Sequence, residues 1–260
     1  MSSLSIKVPA PVADCDAVSL RVRGLSKRFD QKSIFANVDF DVKPGQSVAL
    51  IGANGTGKST LLRCCARLIE PDQGQIDFLG QAFSGLKNRA LRKQRSKIGF
   101  VFQRHQLVPR LSALSNVIHG ALGSVAGPRY WLHGIAPEKA REAAYQCLNQ
   151  VGLAHLALQR VSTLSGGQSQ RVAIARSLMQ QPEFIMADEP AASLDPKSGQ
   201  EVMHLLTNLV KERNMATLFV SHHMHHALEY ADHVIGLRDG QVIIDESTQG
   251  LTETQLKAAF

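Results

Sequence analysis

At 260 residues with 44% hydrophobic content, the chain can bury a sizeable core as one domain with a subdomain. It contains no apolar run of about 18 residues, so no bilayer-spanning helix is expected. Cys15, Cys64, Cys65 and Cys147 lack zinc-ligand or disulfide-framework spacing and fit a reducing compartment. The formal charge of +7 leaves nucleic acid, anionic lipid head groups and an ordinary basic surface all open.

Met1 to Ala17 carries Pro9 and Pro11, without a basic leader or an adequate apolar stretch, and reads as a loose tail. Val18 to Val22 reads as a first strand, and the alternation over Ile34 to Val42 suits a half-exposed antiparallel strand. After the turn Lys43-Pro44-Gly45 come a short apolar run, Ser47 to Ile51, a glycine-rich loop, Gly52 to Lys58, and a helix over Ser59 to Leu68. Cys64 and Cys65 on that helix are expected to pack inside. Ile76 to Leu79 and Ile98 to Phe102 are further strand candidates, and the six Lys or Arg residues of Lys87 to Lys97 read as a solvated face. Between about Arg104 and Ser162 the chain is mainly helical, with one helix over Pro137 to Val151. Gln168 to Gln180 follows as another helix. Strands at Phe184 to Ala187, Thr217 to Ser221 and Val234 to Leu237 then alternate with helices at Lys197 to Arg213 and Met224 to Tyr230, the pattern of a parallel α/β sheet.

Three segments carry chemistry. In Gly52-Ala53-Asn54-Gly55-Thr56-Gly57-Lys58-Ser59-Thr60, the glycines let backbone N–H groups turn inward around phosphate oxygens, and the following helix directs its positive end there. Lys58 is expected on the β- and γ-phosphates, the Ser59 hydroxyl on Mg²⁺, and Thr60 on the α-phosphate. Phe184 to Glu189 is an apolar strand delivering two carboxylates at its C-terminal end. There Asp188 is expected to hold Mg²⁺ through water, and Glu189 to be the general base that orients the attacking water. Leu164-Ser165-Gly166-Gly167-Gln168 places a serine hydroxyl and backbone N–H groups at a helix N-terminus, a second phosphate-binding device.

That ordered set resembles the ATP-binding-cassette (ABC) ATPases, and the resemblance spans about Val18 to Asp245. It implies an α/β P-loop NTPase core with a mostly parallel sheet, an antiparallel β subdomain and an inserted helical subdomain. The expected division is a tail at 1–17, a cassette domain at 18–250 with its helical subdomain at about 104–162, and a C-terminal tail at 251–260. By the same resemblance Gln103 touches the metal and the attacking water and reports on a transmembrane partner. His222 contacts the γ-phosphate, and Phe29 stacks on adenine, with core packing as the alternative. Asp195, in Ser193-Leu194-Asp195, helps align two facing copies. Ser165, Gly167 and Gln168 cap the γ-phosphate held by a second copy's loop, which makes the working unit a dimer. His223, His225 and His226, the other histidines of the cluster begun by His222, read as exposed, with a metal site on a helix face, from the i,i+3 and i,i+4 pairs, as the alternative.

Within that family, Leu107 to Leu111, Asn116 to Ser124, and Arg160 to Thr163 leading into the signature look like the phosphonate-import ATP-binding subunits. The alternatives are the same ATPase role for another cargo (phosphate, phosphite or an amino acid) and a soluble non-transport ATPase. The implied cofactors are ATP and Mg²⁺. The implied partners are a second copy, two transmembrane permease subunits and an external phosphonate-binding protein, with no nucleic acid. The implied location is the cytoplasmic face of the cell membrane. Gly120 to His133, which holds Trp131, is a candidate seat for a transmembrane coupling helix, with a packed loop as the alternative reading.

Overall fold

The computed structural model describes residues 18–123 and 128–260. The expected tail at 1–17 and part of the Gly120 to His133 stretch lie outside them. In chain order the strands and helices are β1 (Leu20–Phe29), β2 (Lys32–Val42), β3 (Ser47–Ile51), α1 (Lys58–Cys65), β4 (Gln73–Phe78), β5 (Gln81–Ala82), α2 (Asn88–Arg95), β6 (Ile98–Val101), α3 (Ala113–Ile118), α4 (Glu138–Gln150), α5 (Gly166–Leu178), β7 (Phe184–Asp188), α6 (Pro196–Glu212), β8 (Ala216–Val220), α7 (Met224–Tyr230), β9 (His233–Arg238), β10 (Gln241–Ser247) and α8 (Glu253–Ala259).

Two sheets organise the molecule. One has the order β2-β1-β4-β5, and the other β10-β9-β3-β8-β7-β6. The first is antiparallel throughout. In the second, β9, β3, β8, β7 and β6 run parallel, and β10 joins the edge antiparallel to β9. Strands β3, β7 and β8 are buried at every position, as helices and a second sheet on opposite faces require.

Alternation along these strands separates two cores. Val48, Leu50, Phe184, Met186, Leu218 and Val220 face α1 and the antiparallel sheet, in a core built around Phe35, Phe78 and Phe83. Ala49, Ile51, Ile185, Ala187 and Phe219 face the opposite way, against the residues of α3 to α8. Each large side chain so buried contributes about 1.5–3 kcal/mol. Cys64 and Cys65 are buried in the first core, as expected of packing residues. Burial pushes the Cys64 thiol up to about 12, which keeps it unreactive.

Helices α3 and α4 fall within residues 104–162, and α5 packs against both, so the helical layer continues past Ser162. The segment 251–260 departs from the expected tail. Thr252 and Gln255 form a reciprocal capping box that starts α8, Leu256 is buried, and the Phe260 ring lies against Gly236 of β9. Cap and buried leucine together hold this end of the chain on the sheet.

Candidate active site

The loop between β3 and α1 has its path set by glycine. Gly52, Gly55 and Gly57 have φ of 151°, 82° and 96°, a region that side chains with a Cβ rarely enter. Steric limits add to this at two of them. A Cβ on Gly52 would lie 2.3 Å from the Leu237 carbonyl oxygen, and one on Gly57 would lie 2.7 Å from Ile34 of β2. Asn54 and Gly55 are exposed at the crest of the loop. Helix α1 starts directly from Gly57, with no side-chain cap, so the N–H groups of its first turn remain available to an anion.

Lys58 is buried, and its Nζ donates to the Gly52 and Ala53 carbonyl oxygens at 2.9 and 2.7 Å. Burial pulls its ammonium below the ordinary lysine range, while the Glu189 and Asp188 carboxylates pull the other way. Ser59 Oγ donates to Asp188 Oδ1 at 2.6 Å, across from the end of β7. Asp188 itself is fully buried. Thr60 follows on the same turn, half-buried.

Arg63, which the sequence reading did not single out, donates from Nη2 to Asp188 Oδ2 at 2.9 Å. Its Nε is buried without a hydrogen-bond partner among the described residues. A signal for it was present, because a basic residue four positions after Ser59 shares that helix face.

Glu189 leaves β7 in the left-handed region, at φ 49°. Two side chains from neighbouring strand ends meet its Oε2. Gln103, after β6, donates from Nε2 at 3.1 Å, and His222, after β8, holds its Nδ1 at 3.7 Å. Ser59, Gln103, Asp188, Glu189 and His222 thus converge at the C-terminal ends of the parallel strands, where open α/β sheets place their ligands.

Ser165, Gly167, Gln168 and Asp195 form a separate group. Ser165 accepts from the Gln168 N–H at 3.2 Å while Gln168 Oε1 accepts from the Ser165 N–H at 2.9 Å, a complete capping box for α5. Asp195 caps α6 through the Ser198 N–H at 3.0 Å, and hydrogen bonds from Ser198 hold its carboxyl below the usual carboxylate range. The two helix starts lie side by side. A Cβ on Gly166 would meet Leu194 at 3.1 Å, and one on Gly167 would meet Ser198 at 3.3 Å. Two positive helix ends are therefore presented together, and among the described residues no hydrogen bond joins them to the Gly52 to Thr60 loop.

Phe29 stands at the tip of the β1–β2 hairpin, paired with Lys32 and 46% exposed, which removes core packing as its role. Of the histidine cluster, His223 and His225 are exposed as expected, but His226 is buried. The physical reason is the start of α7, which turns His226 inward over Ser221. Burial, with the neighbouring histidines adding to it, pushes its imidazole down to about 4. No group of three or more His, Cys, Asp or Glu suited to hold a metal ion occurs among the described residues.

The sequence profile of the ABC transporter family matches residues 35–192, and the chain belongs to that family. Its curated relatives narrow the comparison. The phosphonates import ATP-binding protein PhnC of Treponema denticola is 42% identical over 91% of this chain and 93% of its own length. The protein of the same name from Frankia casuarinae is 45% identical over 92% and 94%. Among solved structures, a dimeric post-hydrolysis ATP-binding cassette bound to ADP and Pi is 33% identical with a TM-score of 0.77, over 89% of this chain and 100% of that one.

Proposed function

We propose that the chain is the ATP-binding subunit of a phosphonate importer and hydrolyses ATP to drive uptake across the cell membrane. The cargo follows its curated relatives. Hydrolysis is supported above all by the meeting of Gln103 and His222 on one oxygen of Glu189, beside the buried Ser59–Asp188 pair.

The loop N–H groups and Lys58 bind the β- and γ-phosphates, Asn54 and Thr60 line the same cradle, and Phe29 stacks on the adenine. Lys58 would exchange its loop carbonyls for phosphate oxygens. Glu189 orients and polarises the attacking water. Gln103 holds that water's far side, and His222 steadies the γ-phosphate. Catalysis of this kind is positioning plus charge stabilisation.

The donor set fits Mg²⁺. A buried carboxylate and a serine hydroxyl 2.6 Å apart, with the Gln103 amide at the end of the strand beside β7, are hard oxygen ligands of the kind that suit a magnesium ion. Ser59, Gln103 and Asp188, the last through water, would hold it. When bound, Mg²⁺ neutralises charge developing on the β- and γ-phosphates. Asp188 is kept in place for this by Ser59 and Arg63.

The paired starts of α5 and α6 serve a second copy. Ser165, Gly167 and Gln168 cap the γ-phosphate in the facing copy's loop, and Asp195 aligns the two. Closure on two ATP molecules, and reopening after hydrolysis, is passed through the Gln103 region to two transmembrane permease subunits served by an external phosphonate-binding protein. Among the described residues no helix is long and apolar enough to cross a membrane. In the working complex the permease subunits dock the chain at the cytoplasmic face. Nucleic acid has no part in this cycle.

Deleting the gene should abolish uptake of a labelled alkylphosphonate, and growth on it as sole phosphorus source, while growth on phosphate continues. Undiminished phosphonate uptake would remove the cargo assignment.

A further inference from the structure

The positive charge of this chain is not spread over it. Between Asp77 and Glu138 there is no Asp or Glu, yet nine of the 29 Lys and Arg lie there. The remaining 20 face 22 carboxylates, so the rest of the molecule is slightly acidic and this one segment supplies the whole excess.

Two of the nine are tied down: Lys97 pairs with Glu183, and Arg95 donates to the Ala66 and Arg67 carbonyls. The other seven, Lys87 before α2, Arg89, Arg92 and Lys93 on α2, Arg104 and Arg110 after β6, and Arg129, are exposed. None of the seven has a carboxylate within ion-pair distance among the described residues. Arg92 and Arg95 line a cavity of about 430 Å³ between α2 and Gly123, at the end of the 3₁₀ turn His119–Gly123. The 3₁₀ turn Pro128–Trp131, which carries Arg129, packs on that same turn. The basic helix and Arg129 therefore flank one surface.

We propose that this acid-free segment is an electrostatic contact with the anionic lipid head groups of the membrane. The side of the molecule rests on the function proposed above, since the segment contains Gln103 and the Trp131 stretch that face the permease. Long side chains spread over α2 and the second 3₁₀ turn, without fixed partners, suit a diffuse negative surface. A protein interface would instead order each charge against a counter-charge. Helix α2 also lacks the aromatic side chains on which nucleic acid bases stack. Attraction across about 8 Å, the screening length at physiological salt, needs no insertion. It would hold free subunits near the membrane and favour the orientation in which the permease is met.

The test is sedimentation of the full chain with vesicles of phosphatidylcholine alone, and of phosphatidylcholine mixed with phosphatidylglycerol, without nucleotide, cargo or permease. Binding should require phosphatidylglycerol and weaken with salt. It should fall about fivefold for each neutralised charge, hence by about two orders of magnitude in Arg89→Gln/Arg92→Gln/Lys93→Gln, with basal ATPase unchanged. Arg129→Gln, placed on another element, should lose about fivefold by the same rule and guards against a local fault in α2. Equal binding to neutral vesicles, unchanged binding by both variants, or association with single-stranded RNA but not with anionic vesicles would each overturn the proposal. Because the assay omits ATP and cargo, its failure leaves the uptake result standing, and the reverse also holds.

Discussion

Arg63 and Ser59 share a face of α1 and divide the two oxygens of Asp188 between them, at 2.9 and 2.6 Å. The carboxylate is fully buried while the guanidinium is 40% exposed, so the two ends of this pair are unequal. Replacing Arg63 by Gln strands a buried charge with one hydroxyl donor, and losing a hydrogen bond to a charged group costs about 1.5–3 kcal/mol. Replacing Asp188 by Asn leaves a guanidinium that water can reach, so that change should cost less. The two together should cost less than their sum, by about 0.5–3 kcal/mol, the range for residues in direct contact. Urea denaturation of the four proteins of this double-mutant cycle checks it. Additivity would mean that Arg63 is not the counter-charge that fixes Asp188.

Trp131 belongs to the 3₁₀ turn Pro128–Trp131, and its backbone carbonyl oxygen accepts from His119 Nε2 at 2.8 Å. Its indole is 63% exposed, with Leu132 at 46% and Ile135 at 57% close by in sequence, an apolar surface on an otherwise basic segment. Exposed tryptophan is a common anchor of protein interfaces, and truncating such an anchor costs at least about 2 kcal/mol of binding. Trp131→Ala should therefore weaken assembly with the permease by about 30-fold or more, the equivalent of that energy, and leave basal ATPase unchanged. Co-purification of the tagged permease, measured alongside hydrolysis by the free chain, separates the two. Unchanged assembly retires the interface reading in favour of a packed loop.

The elements differ in how much of them the sequence reveals. Strand β3 has the bounds that its apolar run indicates, because Gly45 and Gly52 bracket it; helix α7 also has its expected bounds, although no Gly, Pro or side-chain cap marks its ends. Helix α2 is hidden by its own surface, since Gln94 is its one buried residue and six basic residues of Lys87 to Lys97 mask the periodicity. Helix α8 rests on one buried leucine, although Thr252 followed three residues later by Gln255 is a legible capping signal. Strand β10 follows Asp239-Gly240, a strong hairpin signal that makes it readable in retrospect. At the site, glycine spacing and the strand-end carboxylates locate the groups. What they leave open is tertiary. Convergence on one oxygen of Glu189, the role of Arg63 and the joined starts of α5 and α6 come from segments far apart in the chain.

On the proposed function, one copy holds half of each of two sites. The loop, Asp188, Glu189 and His222 form one cluster, while Ser165 and Asp195 start two adjacent helices whose caps are complete without a ligand. In that reading these two helix N-termini meet the phosphates held in another copy's loop, and a two-fold dimer would satisfy both sites with one self-complementary surface. Slowing hydrolysis should lengthen the life of that dimer. Glu189→Gln keeps shape and hydrogen bonds but loses the base, which should lower turnover about 10²–10⁴-fold while leaving ATP binding intact. By light scattering this variant should be a dimer with ATP and a monomer without it. Adding Ser165→Glu places a carboxylate against the facing γ-phosphate, which repels it, and removes the α5 cap, itself worth about 0.5–2 kcal/mol. The double variant should still bind ATP, measured by fluorescent-nucleotide titration, and stay monomeric. If it dimerises as readily as Glu189→Gln alone, the serine-bearing helix start is not the surface that closes over the partner's nucleotide. If Glu189→Gln itself stays monomeric with ATP bound, both alone and with the permease, no such closure drives transport.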